Sequence, residues 1–217
     1  MLKTRSNIVK QTLLVLVFLL LSSVPTQDVQ AQPRRIIYLT FDDGPGAIYT
    51  PQILNVLHRE HVHATFFVLG NRCNALPEIV RKIQREGHEI GSHGYDHRNL
   101  ACASLPVVKS EIALADSAIA KAVGHRPLYY RPPYGAIDRT EIPAIQRMGH
   151  KVRFWTVDSA DWKATSASSI VHNVERSAGP SSVVLFHDGL STSRFTIQAL
   201  PILIQYYKSR GYRFRTL

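Results

Sequence analysis

Short runs of β-branched and aromatic residues alternate along this chain with longer stretches whose apolar positions recur every three or four residues. That alternation is the pattern of βα units wrapped around a mostly parallel sheet. Seven runs read as strands: Ile36–Phe41, Thr65–Leu69, Glu89–Ser92, Tyr129–Arg131, Lys151–Val157, Ser182–Phe186 and Tyr212–Arg215. Between them, Ile53, Leu54, Val56 and Leu57 give one helical face, Ile79, Val80 and Ile83 a second, and Ile112, Ala115 and Ile119 a third. Thr50 before Pro51 is expected to cap one helix, and Leu76-Pro77-Glu78 to open another. Gly87 and Gly211 fall just past helix ends, where a left-handed residue is wanted.

A length of 217 residues suits one domain, and 45% hydrophobic with 19% charged residues excludes intrinsic disorder and collagen-like sequence. No repeat, linker or low-complexity segment interrupts residues 32–217. Seven βα units there take about 27 residues each, against about 31 in an eight-unit barrel, so a small, incomplete barrel fits. An open doubly wound sheet fits the same pattern.

Residues 1–31 read differently. Lys3, Arg5 and Lys10 precede the apolar run Leu13 to Leu21, and Val29-Gln30-Ala31 offers small residues at a cleavage spacing. This is the layout of a secretory signal, too short for a bilayer span of about 20 apolar residues; a retained anchor is the alternative. The chain is therefore expected outside the cytoplasm, secreted or wall-associated, without a stable membrane span once the signal is cleaved. Lys3, Arg5, Lys10 and Asp28 sum to +2 of the formal charge of +10, leaving +8 on residues 32–217. That excess suits a polyanionic surface or simple solubility, and export makes a cell-wall polymer or anionic lipid a nearer partner than nucleic acid. Cys73 and Cys102 either bridge in an oxidising compartment or stand as separate thiols.

The polar residues that carry chemistry fall at the C-terminal ends of the candidate strands. Asp42 and Asp43 follow the first, His93 and His97 the third, Arg131 ends the fourth, Asp158 and Asp161 follow the fifth, and His187 and Asp188 the sixth. Parallel barrels and open parallel sheets both build their sites at that edge. His93 and His97 meet one cation if their segment makes a helical turn, and Asp43 supplies the acid that makes the pair meaningful. Two imidazoles and a carboxylate leave coordination positions open, as in catalytic zinc sites. Non-haem iron sites use the same set but place the acid two residues after a histidine, so hydrolysis is favoured. Adjacent Asp42 and Asp43 repel unless one binds a cation, which frees the other to take a proton from water. His58, His61 and His63 form a second cluster, at a helix end and without a matching acid beyond Glu60, and read as surface.

Five segments then resemble a known family: Thr40-Phe41-Asp42-Asp43-Gly44-Pro45, Ser92-His93-Gly94-Tyr95-Asp96-His97, Arg131-Pro132-Pro133-Tyr134-Gly135, Asp158-Ser159-Ala160-Asp161-Trp162 and Leu185-Phe186-His187-Asp188. In order, they are similar to the motifs of the polysaccharide deacetylases, carbohydrate esterase family 4. The resemblance implies an α/β fold, a single-domain, distorted seven-stranded (β/α) barrel over residues 32–217. It implies Asp43, His93 and His97 as ligands of a divalent metal, most commonly Zn²⁺, with Asp42 as the catalytic base and His187 as the general acid. It gives Arg131 the orienting of the base and Asp161 the tuning of the acid. The Tyr134 backbone N–H would face the oxyanion, and Tyr134, Trp162 and Leu185 would line the acetyl pocket. Asp96 stands where a small hydroxyl residue is common and would add negative charge near the metal.

The activity implied is hydrolysis of N-acetyl groups on a polysaccharide, with peptidoglycan N-acetylglucosamine as the expected substrate and a monomer as the expected state. Bound zinc can lower the pKa of a water to about 7, and a protonated His187 would let the amine leave as a neutral group. A chitin-oligosaccharide deacetylase, an acetyl-xylan esterase and a non-catalytic wall-binding module are the rivals.

Overall fold

Nine residues beginning at Ile36 form the central strand of one curled sheet in the computed structural model, which describes residues 35–217. The signal and cleavage point expected within residues 1–31 lie outside the described residues. The strands are β1 (Ile36–Gly44), β2 (Thr65–Val68), β3 (Glu89–Ser92), β4 (Tyr129–Tyr130), β5 (Lys151–Val152), β6 (Val157–Asp158), β7 (Ser182–His187) and β8 (Arg213–Phe214). Their order is β5-β4-β3-β2-β1-β7-β6, every pairing is parallel, and β8 adds beside the start of β1. Around this sheet run α1 (Tyr49–Arg59), α2 (Gly70–Ala75), α3 (Pro77–Arg85), α4 (Leu105–Val123), α5 (Ile142–Arg147), α6 (Ala167–Ser177) and α7 (Ser193–Ser209). This is the expected distorted seven-stranded (β/α) barrel, curled but open between β5 and β6.

That opening is where the sequence reading and the structure differ most. Lys151–Val157 reads as one strand, yet its two ends follow different neighbours. Arg153 N–H donates to Tyr130 O at 2.8 Å and Thr156 N–H to Val183 O at 2.9 Å. The reason lies in the Arg131 side chain, whose Nε and Nη2 donate to the carbonyls of Arg153 and Phe154 at 3.2 and 3.3 Å. These carbonyls, which a continuous strand would offer to a ladder, are satisfied by a guanidinium instead.

A period of two sorts β1 into two faces. Phe41 faces the helices with Ile53, Leu54 and Leu57. It pairs in register with Phe66 on β2 and Phe186 on β7, and the three rings stack with centroids 4.9 and 5.7 Å apart. Phe41→Ala is expected to cost about 3–5 kcal/mol, read as a lower urea midpoint with an unchanged slope. Thr40 and Asp42 point the other way, into the barrel, where both meet Arg131.

The helical faces bury largely as the spacing predicts: Ile53, Leu54, Val56 and Leu57 on α1, Val80 and Ile83 on α3, where Ile79 is only half-buried, and Ile112, Ala115 and Ile119 on α4. Gly87 and Gly211 take φ of 79° and 76° beyond α3 and α7. Thr50 does not cap α1. The helix begins at Tyr49, and the Thr50 hydroxyl accepts from Gly46 N–H at 2.7 Å and donates to Asp188 Oδ2 at 2.5 Å. A buried carboxylate outcompetes the helix terminus for that hydroxyl.

Cys73 and Cys102 are separate thiols. Cys73 sits in the core on α2, and burial, with Asp188 nearby, pushes its thiol up to about 12. Cys102 is exposed. No helix among the described residues is long and apolar enough to cross a membrane.

Candidate active site

Two neighbouring residues on a strand point to opposite faces, so Asp42 and Asp43 cannot share a site on a regular β1. The strand solves this with a bulge. Asp42 pairs with Phe67, but the next partner, Val68, is met by Gly44, leaving Asp43 as the extra residue at φ 69°. A bulge re-aims its side chain, and both carboxylates reach the same mouth. Gly44 is required beneath them, because a Cβ there would lie 2.3 Å from Asp188 Oδ2. Asp188 is fully buried, and burial followed by the charges of Asp43 and Asp42 pushes its carboxyl up to about 7 even though Thr50 donates to it.

The histidines converge without the helical turn that their spacing suggested. Residues 93–97 form a loop in which Gly94 and His97 take φ of 80° and 66°. Amides of Gly70 and Asn71, at the start of α2, donate to the carbonyls of Gly94 and Tyr95 at 3.0 Å each, and Tyr95 N–H donates to Glu111 Oε2 at 3.3 Å. A loop pinned from two helices does here what a helix turn would have done. His97 Nε2 comes to 3.0 Å and His93 Nε2 to 3.4 Å from Asp43 Oδ1.

These three residues fit a divalent metal. His93 Nδ1 lies 2.8 Å from the Arg131 carbonyl, which can only accept, so the ring proton sits there and the Nε2 lone pair faces Asp43. Asp43 Oδ1 is buried and receives no hydrogen bond, and one ligand atom from each of the three residues lies within 4.8 Å of the others. Lone pairs meeting around an orphaned oxygen are what a cation would satisfy. Asp96 is not among them: it is exposed and pairs with Arg98 at 3.1 Å.

Two charge pairs flank this triad. Arg131, fully buried, donates from Nη1 to Asp42 Oδ1 at 2.7 Å and to Thr40 Oγ1 at 2.9 Å, and its guanidinium lies 4.0 Å from the Phe67 ring centroid. Across the sheet, in register with Asp42, stands His187. Its Nδ1 meets Asp161 Oδ1 at 2.7 Å, while Asp161 Oδ2 accepts from His187 N–H at 2.8 Å and from Thr196 Oγ1 at 2.7 Å. Burial opposes charge on the His187 ring, yet Asp161, followed by the charges of Asp42 and Asp43, carries it up to about 9.

A cavity of about 390 Å³ opens over these groups. Asp42, Asp43, His93, His97, Tyr134, Trp162, Leu185 and His187 all line it. Arg131 and Asp161 are wholly buried behind the residues they hold. Tyr134, at φ 60° in the turn Pro133–Gly135, sets its ring 4.5 Å from that of His97. Tyr134 and Trp162 are exposed at the rim, whereas Leu185 is buried in the floor. Trp155 and Leu190 also line the cavity and were not singled out from sequence. Trp155 lay hidden inside the run read as a continuous strand, and Leu190 carries no chemical signal. Thr40 and Thr196 were missed as well, although Thr40 stands two residues before Asp42 and so shares its face. His58, His61 and His63 are exposed and away from this cavity, as the sequence suggested.

The family model described as polysaccharide deacetylase matches residues 29–153, a stretch that includes Asp42, Asp43, His93, His97 and Arg131 but not Asp161 or His187. A Bacillus cereus peptidoglycan-N-acetylglucosamine deacetylase is 37% identical over 182 residues, covering 83% of this chain; the chain spans 66% of that relative's length. A chitooligosaccharide deacetylase of a Bradyrhizobium species is 35% identical over 195 residues, covering 84% of this chain and 89% of the relative. Among solved structures, a crystal structure of a peptidoglycan N-acetylglucosamine deacetylase aligns with a TM-score of 0.83 at 36% identity, covering 85% of this chain and 86% of the other.

Proposed function

The chain belongs to the polysaccharide deacetylase family, and on that footing we propose that it is an exported, metal-dependent hydrolase that removes acetyl from the N-acetylglucosamine units of peptidoglycan. Asp43, His93 and His97 would hold the ion, for which Zn²⁺ is the choice that two imidazoles and one carboxylate favour. A divalent ion there supplies Lewis acidity, which lets water ionise near neutral pH and draws charge from an acetyl carbonyl.

The remaining work falls to this chain's own side chains. Asp42, held by Arg131, receives the proton of the attacking water. His187, kept protonated by Asp161, gives a proton to the departing amine nitrogen. Leu185 floors the space for the acetyl methyl, and Tyr134 and Trp162 wall it, with the Tyr134 N–H offered to the developing oxyanion. The observation that carries this reading is the register of Asp42 with His187, one paired to a cation and the other to an anion, across the three converging donors. A base and an acid on opposite sides of one polarised carbonyl are what amide hydrolysis requires.

The chitin-oligosaccharide reading is supported by the Bradyrhizobium relative, of which this chain spans most of the length. Purified, zinc-loaded protein is expected to release acetate from peptidoglycan fragments faster than from chitin oligomers. The reverse order would assign the chain to chitin oligosaccharides, and no acetate from either, with metal bound, would overturn the enzymatic reading.

A further inference from the structure

Thr50 has no part in the proposed chemistry, yet it is fully buried and its hydroxyl is committed twice. It accepts from Gly46 N–H at 2.7 Å and donates to Asp188 Oδ2 at 2.5 Å. One group thus ties the first turn of α1 to the loop after β1 and to the residue that follows β7. Among the described residues this is the only hydrogen bond made by the Asp188 carboxyl, whose Oδ1 is buried without a partner.

The segments so tied grip the bulge of β1. The register with β2 skips Asp43, and the register with β7 stops at Asp42, so neither ladder sets the Asp43 backbone. An aspartate at φ 69° persists only where its surroundings over-determine it. Here Asp188 N–H donates to Asp42 O at 3.2 Å on one side, and Leu69 N–H to Gly44 O at 2.8 Å on the other. A Cβ on Gly189 would lie 2.3 Å from the Asp43 carbonyl oxygen, and one on Gly44 2.3 Å from Asp188 Oδ2. A Cβ on Gly46 would lie 2.7 Å from the Asp188 carbonyl oxygen. Three glycines therefore let Asp188 and Gly189 press directly on the chain around Asp43.

We propose that the Thr50 hydroxyl is a positioning group for the metal site. By holding the Asp188 carboxyl against Gly44 and the Gly46 amide against α1, it fixes the backbone from which Asp43 Oδ1 reaches His93 and His97. The inference rests on the reading of those three residues as metal ligands, and it adds a residue that holds none of the ion itself. A ligand whose supporting shell is loosened meets the ion with poorer geometry, and affinity falls before the fold does.

The test measures zinc affinity by competition with a chromophoric chelator, and the visible spectrum of the cobalt(II)-loaded protein, which reports the geometry of the ligands. Thr50→Val puts a methyl where the hydroxyl was, and is expected to weaken zinc binding about 10- to 100-fold and to alter the cobalt bands. Thr50→Ser keeps the hydroxyl and is expected to restore most of the affinity and the wild-type bands. Thr50→Ala, which sets no methyl against the Asp188 carboxyl, carries the valine expectation should Thr50→Val fail to fold. Urea midpoints of the same variants record stability separately. A threonine that only packed would lower the midpoint and leave zinc affinity and cobalt bands as in the wild type. That result, or a serine variant that binds zinc no better than the valine one, would overturn the proposal. If Asp43→Asn loses zinc while the Thr50 variants keep it, this inference alone falls. A wild type that binds zinc but releases no acetate would instead remove the deacetylase reading and leave this one in place.

Discussion

Asp42→Asn is expected to slow acetate release by about 10²–10⁴-fold while zinc binding is retained. The substitution keeps the shape of the side chain and one oxygen able to accept from Arg131 Nη1, but it removes the carboxylate proposed to take the proton of the attacking water. It also strips the counter-charge from a guanidinium with no solvent exposure, so some stability goes with it. Breaking a buried pair costs about 3–5 kcal/mol when a partner is removed outright, and the retained acceptor should hold the loss below that. Three measurements separate the effects: kcat on a soluble glycan, zinc content after dialysis, and the urea midpoint. Asp43→Asn should behave differently, because Asp43 Oδ1 is the atom that both imidazoles face; there zinc content falls together with rate. If Asp42→Asn leaves kcat intact with zinc bound, Asp42 is not the base, and the non-catalytic wall-binding alternative gains the ground.

What could be seen in the sequence was governed by periodicity and by position along the strands. The helix-facing Phe41, the inward Asp42 and the placing of Asp42, His93, Arg131, Asp161 and His187 at strand ends all follow from a parallel barrel with a period of two. What could not be seen comes from breaks in that period. The bulge at Asp43 and the left-handed backbone at His97 re-aim two of the proposed ligands, and although Asp and His are enriched at positive φ, they adopt it too rarely for the residue type to announce it. Spacing alone therefore pointed to a helical turn for residues 93–97, when the geometry is supplied by distant donors on α2 and an acceptor on α4. The same limit applies to Lys151–Val157, where each residue favours a strand and the interruption is imposed by Arg131, some twenty residues upstream in sequence. Arg131 thus serves two purposes: it fixes Asp42, the proposed base, and it satisfies the backbone where the barrel does not close. A charge read from sequence as a partner for Asp42 turns out to be part of the architecture as well.

Asp161→Asn should move the alkaline limb of the pH–rate profile downward and reduce the rate at pH 8 by at least about tenfold. In the wild type, burial pulls the His187 ring down, but Asp161 more than offsets it and the ring titrates near 9, so the acid form persists through neutral pH. The neighbouring Asp42 and Asp43 charges also raise it; a bound divalent cation opposes that contribution, so the limb of the loaded enzyme lies below 9. Without the Asp161 carboxylate, burial acts with little opposition. The ring then loses its proton below the ordinary histidine value of about 6.5, and the leaving amine finds no donor at pH 8. Stability follows the same sign. A histidine raised by its partner contributes most below its unfolded pKa of about 6.5 and loses that contribution as pH rises through its folded value. The wild type should therefore exceed Asp161→Asn in unfolding free energy most at about pH 6, with the gap narrowing toward pH 10. Two side chains that only packed together would give a gap independent of pH and a limb that stays in place, and that result would remove His187 from the role of acid.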